Sequence, residues 1–223
     1  SLNNFAEILK VSGVSKIPIP GSDEVWKVPR LYVWFVNTTF IATTGFQCGS
    51  TEMTTAKLAM QQKQWDKAEQ SLMKELQKND KNEEAWFLLG QVRLESKKYQ
   101  EMNDAYTNAL ALSTTHKAEI DRNRLAVWAN LYNEGVGLYN KGRDDASNYD
   151  KALASFKTAI MLVPDSAGTY YVSALASYAK KDYKPAIVDL ETVLQKDPKR
   201  GDAAKLLGQI HFQQGQTKKD EKD

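Results

Sequence analysis

Residues 82–114 read NEEAWFLLGQVRLESKKYQEMNDAYTNALALST. A first half carries Trp86, Leu89 and Gly90, a polar break follows at Ser96-Lys97-Lys98, and a second half carries Tyr99, Tyr106 and Ala109. Each half has the apolar spacing of an amphipathic helix of about three turns. Two such helices cannot bury their apolar faces against each other alone, so the unit requires neighbours of its own kind.

The chain supplies them at a fixed interval. Trp65 and Tyr99, Ala68 and Met102, and Leu72 and Tyr106 are each 34 residues apart. The same interval separates Tyr149 from Tyr183, Ala152 from Ala186, Phe156 from Leu190 and Pro164 from Pro198. Register slips once: Tyr106 to Phe156 is 50 residues, 16 more than the repeat. About eleven of these fall in Lys117–Val127, extending the first helix of the third unit backward, and about five fall in Arg143–Asn148, lengthening its turn. Ala68, Ala152 and Ala186 are placed where the second helix of a unit crosses the first, and Gly90 and Gly208 do the same from the first helix, because only small residues let helix axes close to about 8–10 Å. Trp86, Tyr106, Phe156 and Tyr170 fill the space between helices. Pro164 and Pro198 each follow a helix end, and Asp165-Ser166 suits the start of the next helix.

Through Trp86-x-x-Leu89-Gly90, Tyr99, Tyr106 and Ala109, then Gly142, Tyr149, Ala152, Phe156, Ala159 and Pro164, then Tyr170, Tyr183, Ala186 and Pro198, the stretch 51–215 resembles the tetratricopeptide repeat family. The first repeat departs from the pattern, with Glu52 and Thr55 where Trp and Leu are usual. The resemblance implies an all-α fold, a right-handed superhelical solenoid of about four helix-turn-helix repeats plus a terminal helix, over residues 49–216. Residues 217–223 form a charged tail expected to be disordered.

The region before the repeats has a different composition. Residues 1–30 carry Gly13, Pro18, Pro20 and Gly21 and are expected to be an irregular leader. Leu31–Gln47 (LYVWFVNTTFIATTGFQ) is apolar and uncharged, is preceded by Lys27 and Arg30, and ends at Cys48. A basic flank, an apolar run and a small-residue end make 31–48 signal-like or anchor-like. An uncleaved membrane anchor and a buried strand or helix are the other readings. With Thr51-Glu52-Met53-Thr54-Thr55-Ala56-Lys57-Leu58 and the third-repeat helix Trp128–Gly135, the segment resembles the start of tetratricopeptide lipoproteins of Bacteroidota-type bacteria. That resemblance implies lipidation at Cys48, attachment to the membrane through that lipid, and a place in the cell envelope, periplasmic or on the outer membrane; a cytoplasmic protein is the alternative.

Composition and motifs bear on chemistry. The formal net charge of +2 leaves no basic footprint for nucleic acid. Phosphate loops, dinucleotide fingerprints and zinc-protease patterns are missing, and no nucleophile has a base beside it. No catalytic residue, cofactor, metal site or small-molecule substrate is therefore assigned. His211, on the terminal helix, reads as a packing residue. In Asp144-Asp145-Ala146-Ser147-Asn148-Tyr149-Asp150, alternate oxygen ligands partly fit a calcium loop but its Gly and bidentate Glu are missing; capping of the next helix by Ser147 or Asn148 explains the same residues.

The first helices of such repeats line the concave face of a superhelix. In this sequence that face carries Phe87, Gln91 and Leu94, then Tyr132, Asn133, Val136 and Tyr139, then Tyr171, Leu175 and Tyr178, and finally Phe212. Aromatic anchors in a groove suit an extended or helical peptide, although part of the row is expected to be inter-helix packing. The function expected is a non-catalytic scaffold binding a peptide or protein partner in this groove. The alternative is a structural or accessory subunit of a larger assembly, held through its edges by self- or hetero-association.

Overall fold

A computed structural model describes the backbone of residues 14–18, 25–29 and 50–220, with side chains over 50–216. The chain divides into two units, Ser1–Gln47 and Cys48–Asp223. In the first unit, β1 (Val14–Pro18) pairs antiparallel with β2 (Val25–Pro29), with Val14 opposite Pro29 and Lys16 opposite Lys27. Within the stretch expected to be an irregular leader, 1–30, Pro18 and Pro29 stand at strand ends, where a missing N–H is tolerated. The signal-like or anchor-like segment 31–48 lies outside the described residues.

The second unit is a solenoid of helical hairpins. Its helices are α1 (Thr51–Gln61), α2 (Trp65–Lys78), α3 (Glu83–Glu95), α4 (Tyr99–Leu112), α5 (Lys117–Lys141), α6 (Ser147–Leu162), α7 (Ala167–Ala179), α8 (Tyr183–Lys196) and α9 (Gly201–Asp220). The pairs α1–α2, α3–α4, α5–α6 and α7–α8 are the four repeats, and α9 stands against α8. The chain is helical through Asp220, so the disordered tail expected from Thr217 does not begin there.

Each hairpin closes on a small residue. A methyl group at Gly90 would lie 2.2 Å from the Tyr106 ring, one at Gly135 would lie 2.3 Å from Phe156, and one at Gly142 would lie 2.3 Å from Tyr149. Tyr106 and Phe156 are wholly buried, as are Ala68, Ala105, Ala152 and Ala186. Gly208 does not join this set: nothing lies within 4 Å of a Cβ built there. Its place in the repeat is the one Gly90 holds, but among the described residues no ring covers it.

Three of the four intra-repeat turns are alike. Lys63, Lys97 and Lys181 have left-handed φ of 56°, 58° and 63°. In each turn the next amide reaches back five residues and the Lys amide reaches back three, as in Gln64 N to Ala59 O at 2.8 Å and Lys63 N to Met60 O at 3.0 Å. These bonds satisfy the carbonyls left open at the helix end. A lysine in this conformation costs about 1–2 kcal/mol. The third repeat turns differently. Residues 142–146 bridge α5 and α6, and Asp145 organises the loop by accepting from the Ser147 amide at 3.0 Å and the Ser147 hydroxyl at 2.9 Å. The cap expected from Ser147 or Asn148 is thus supplied by Asp145, and these bonds hold its carboxyl below the usual range. Asp150 pairs with Lys180.

N-caps join the first two repeats. Ser50 and Asn82 accept from Met53 N and Ala85 N, each at 3.1 Å. Their remaining donors converge on the buried Glu75 of α2: the Ser50 hydroxyl on Oε2, and Asn82 Nδ2 on Oε1 at 2.7 Å. One carboxylate therefore ties the starts of α1 and α3 together. On the outer side Glu69 accepts from Arg93 at 2.9 Å and Lys98 at 2.7 Å. Partial burial works to raise its pKa, yet these two hydrogen bonds leave it below the usual range. Ser166 caps α7 by accepting from Thr169 N at 3.3 Å, as its sequence position suggests.

Gly90→Ala should lower the urea unfolding midpoint, by an amount equivalent to about 1–3 kcal/mol, because Tyr106 has no free volume into which to retreat. Gly208→Ala should raise it, by about 1 kcal/mol, since it adds helix propensity without a clash.

Candidate functional site

The first helices α3, α5, α7 and α9 carry the residues expected to line the groove. The lengthened α5 alters what they present. α5 runs for 25 residues, against 13 for α3 and for α7. Its added N-terminal turns lie against α3. The His116 ring, just before α5, stacks on Phe87 with centroids 3.8 Å apart and planes 3° apart. Gln91 donates to Glu119 at 2.8 Å, and Leu94 packs into the cluster formed by Phe87, Met102, Tyr106, Ile120 and Val127. Phe87 is only 5% exposed. The inner face of α3 is therefore covered by this chain, and Phe87 is a packing residue. Sequence spacing could not show this, because the cover comes from the inserted residues, which follow no repeat register.

Further along, the row is half-open. Tyr132 tilts against Trp128 at 5.7 Å and Phe156 at 6.4 Å. Tyr139 tilts against Tyr149 at 5.8 Å and Tyr178 against Tyr183 at 6.0 Å. Asn133 is exposed, and Val136 packs beside Tyr132 and Tyr139. Leu175 packs against the cluster around Leu190 and Ile210. The Tyr178 hydroxyl accepts from Gln209 Nε2 at 3.1 Å, which ties α7 to α9. Tyr171 is 8% exposed and so, like Phe87, is mainly packing. Phe212 is 67% exposed. His211 beside it is also exposed, not packed as the sequence suggested. Cys48 lies outside the described residues.

The sequence reading missed Arg200. Its guanidinium lies 4.3 Å from the centroid of the Tyr171 ring, and its Nε donates to Asp202 at 3.1 Å. Desolvation first and the Asp202 carboxylate second raise the Tyr171 phenol, Arg200 opposes them, and the phenol is pushed up to about 12. Desolvation likewise raises Tyr132, and Arg200 is close enough to act against it. Burial also raises Tyr139, with Arg143 in opposition. These phenols stay protonated at neutral pH and can donate as well as accept. Tyr132, Tyr139 and Tyr178 thus form the half-open part of the row, with Arg200 beside the packed Tyr171. The only signal for Arg200 in the sequence is a basic residue at the start of the terminal helix, where a basic residue ordinarily opposes the helix dipole.

Residues 53–113 match the tetratricopeptide repeat family. These are the first and second repeats, including the stretch with Gly90 and Tyr106. No curated protein matches the sequence. Among solved structures, MamA (residues 41 to the end) from Desulfovibrio magneticus RS-1 is 16% identical, covering 75% of this chain and 86% of its own, with a TM-score of 0.36. YrrB, described as a tetratricopeptide protein with an unusual peptide-binding site, is 16% identical over 70% of this chain and 89% of its own, with a TM-score of 0.32. The first tetratricopeptide domain of Spaghetti (RPAP3), bound to an HSP90 peptide, is 13% identical over 74% of this chain and 90% of its own, with a TM-score of 0.28. Overlaps this loose carry nothing about a ligand.

Phe87→Ala should destabilise the protein by about 3–5 kcal/mol in chemical denaturation, because it empties the space between His116 and Tyr106. Asn133→Ala, on the exposed face of α5, should stay within about 0.5 kcal/mol of the parent.

Proposed function

We propose that the repeat unit is a non-catalytic scaffold that holds a peptide or protein segment against the faces of α5, α7 and α9. The observation that carries this is the half-open row Tyr132, Tyr139 and Tyr178 with Arg200 beside Tyr171. Rigid aromatic rings provide contact area at low entropic cost, and their hydroxyls and the guanidinium can meet a peptide backbone and its acidic groups. Peptides selected from a random library on the parent protein should lose at least about tenfold in affinity when Tyr139 and Tyr178 are both changed to Ala. Circular dichroism would confirm that the fold is retained, and unaltered affinity in the folded variant would remove the groove from consideration.

The location proposed is the cell envelope, with Cys48 lipidated and anchoring the unit to a membrane. This rests on the basic flank, the apolar run and the cysteine at 31–48. No helix among the described residues is long and apolar enough to cross a membrane. Mass spectrometry of the mature N-terminus should find a diacylated or triacylated Cys48, and a chain intact upstream of Cys48 would refute the anchor. A second reading, a subunit held through the ends of its array, is favoured by the open face of α9.

A further inference from the structure

The first helices α3 and α7 bury one face on the second helix of the preceding repeat, and α5 does so over only part of its length. In the register of Gly90, Gly135 and Ala174, residues 85 and 92 of α3 stand level with 130 and 137 of α5 and with 169 and 176 of α7. Ala85 and Val92 are wholly buried in the cluster that holds Leu72 and Leu76 of α2. Thr169 and Ala176 are equally buried, and Ala176 shares a cluster with Ala152 and Phe156 of α6. On α5 the same strip is Asn130 and Gly137 with Asn133 between them, and all three are exposed. A Cβ at Gly137 would meet nothing within 4 Å. What α4 meets instead is the added stretch Lys117–Val127. Ile120 and Val127 share a cluster with Met102 and Tyr106, Asn123 donates to the Tyr106 hydroxyl at 2.9 Å, and Arg124 donates to Thr107 at 2.8 Å.

We propose that the array hinges at the α4–α5 junction, with α1–α4 turning as one body against α5–α9 as the other. The added stretch Lys117–Val127 is the pivot, and the strip Asn130-Asn133-Gly137 borders the gap that opens and closes against α4. The contacts at the pivot suit rotation. His116 lies face to face with Phe87, planes 3° apart, and parallel rings slide over each other at constant separation. Hydrogen bonds between long side chains follow a turn by changing rotamer. The small interlocked side chains of α2–α3 do neither. That junction is also locked by Glu75, which holds Ser50 and Asn82 at once. Within the second body, Trp128 Nε1 of α5 donates to Thr169 of α7 at 3.0 Å. The gap itself permits approach: the amides of Asn130 and Asn133 are solvated when it is open, and the missing side chain at Gly137 leaves room for α4 to come close. Turning at the pivot changes the angle between the covered strip of α3 and the half-open faces from Tyr132 onward.

Pulsed electron spin resonance distances on the full chain test this. Cys48→Ser removes the one thiol of the sequence, and spin labels then go on exposed positions of neighbouring second helices. Lys74→Cys with Asn108→Cys reports on the first body, Lys157→Cys with Glu191→Cys on the second, and Asn108→Cys with Lys157→Cys on the junction between them. The distance distribution across the junction should be at least about twofold wider than either of the others. Gly137→Leu puts a side chain into the gap and raises helix propensity, so it should narrow that distribution while circular dichroism shows an intact fold. Three distributions of equal width overturn the proposal. A wide one that Gly137→Leu leaves unaltered overturns it as well, since the movement then lies elsewhere.

Discussion

A helical hairpin closes only as far as its crossing point allows, and in two hairpins of this solenoid, α3–α4 and α5–α6, the crossing point is a glycine beneath an aromatic ring, while the other two bury alanine and leucine. The missing Cβ at Gly90, Gly135 and Gly142 is the volume that Tyr106, Phe156 and Tyr149 occupy. The contact is strict enough that the rest of the repeat adapts around it. Gly90 and Tyr106 are 16 residues apart, while Gly135 and Phe156 are 21 apart. The five added residues are absorbed in the turn organised by Asp145, and the ring still reaches its glycine. Turn length and turn chemistry vary because they lie outside the crossing. In these two repeats the crossing itself is kept, because it buries a large ring against a close backbone.

Between repeats the constraint is looser and the solutions differ. α2 and α3 meet through small buried residues and through Glu75, which holds two helix starts at once. α4 and α5 approach less closely than α2 and α3 do. The wider gap is filled by long side chains: His116 on Phe87, Asn123 donating to the Tyr106 hydroxyl at 2.9 Å, and Arg124 donating to Thr107 at 2.8 Å. Two buried polar atoms here, Glu83 Oε1 and Arg124 Nε, lack a hydrogen-bond partner, and desolvation lowers the Arg124 pKa. A junction filled with orphaned polar atoms costs more to close than one lined with alanine. It is therefore the place where the array is held least tightly.

This contrast explains what could be read from the sequence. The 34-residue interval fixes hairpins, crossings and caps, because each is set by contacts within one repeat or between equivalent positions. Ser166 as a cap and the 25-residue α5 follow directly from spacing. Features set by unequal positions did not show. Glu75 stands where later repeats carry Ala109, Ala159 and Val193, so no pattern marks it as a bridge. Gly208 matches Gly90 in register, but a glycine's role depends on which ring comes to it. Of the groove residues, Tyr132, Tyr139 and Tyr178 keep part of their surface in the open. Phe87 and Tyr171 are absorbed into packing, because helical spacing gives the direction a side chain takes and not what later meets it.

The lengthened α5 also changes which first-helix faces stay open. In an even array each first helix would contribute an equal strip to one continuous inner face. Here the added turns of α5 place His116 and Glu119 over Phe87 and Gln91, removing the strip that α3 would offer. The open aromatic surface begins at Tyr132 and continues through α7 toward α9. Its cation, Arg200, is fixed by Asp202 and by the Tyr171 ring beside it. A segment bound there would span the last two repeats and the terminal helix and could orient an acidic group toward Arg200. The first two repeats, with their tighter junction and bridged caps, would then act as the rigid base from which that surface is presented. The insertion is thus more than a tolerated loop: it covers the strip of α3 and leaves the half-open faces from Tyr132 onward.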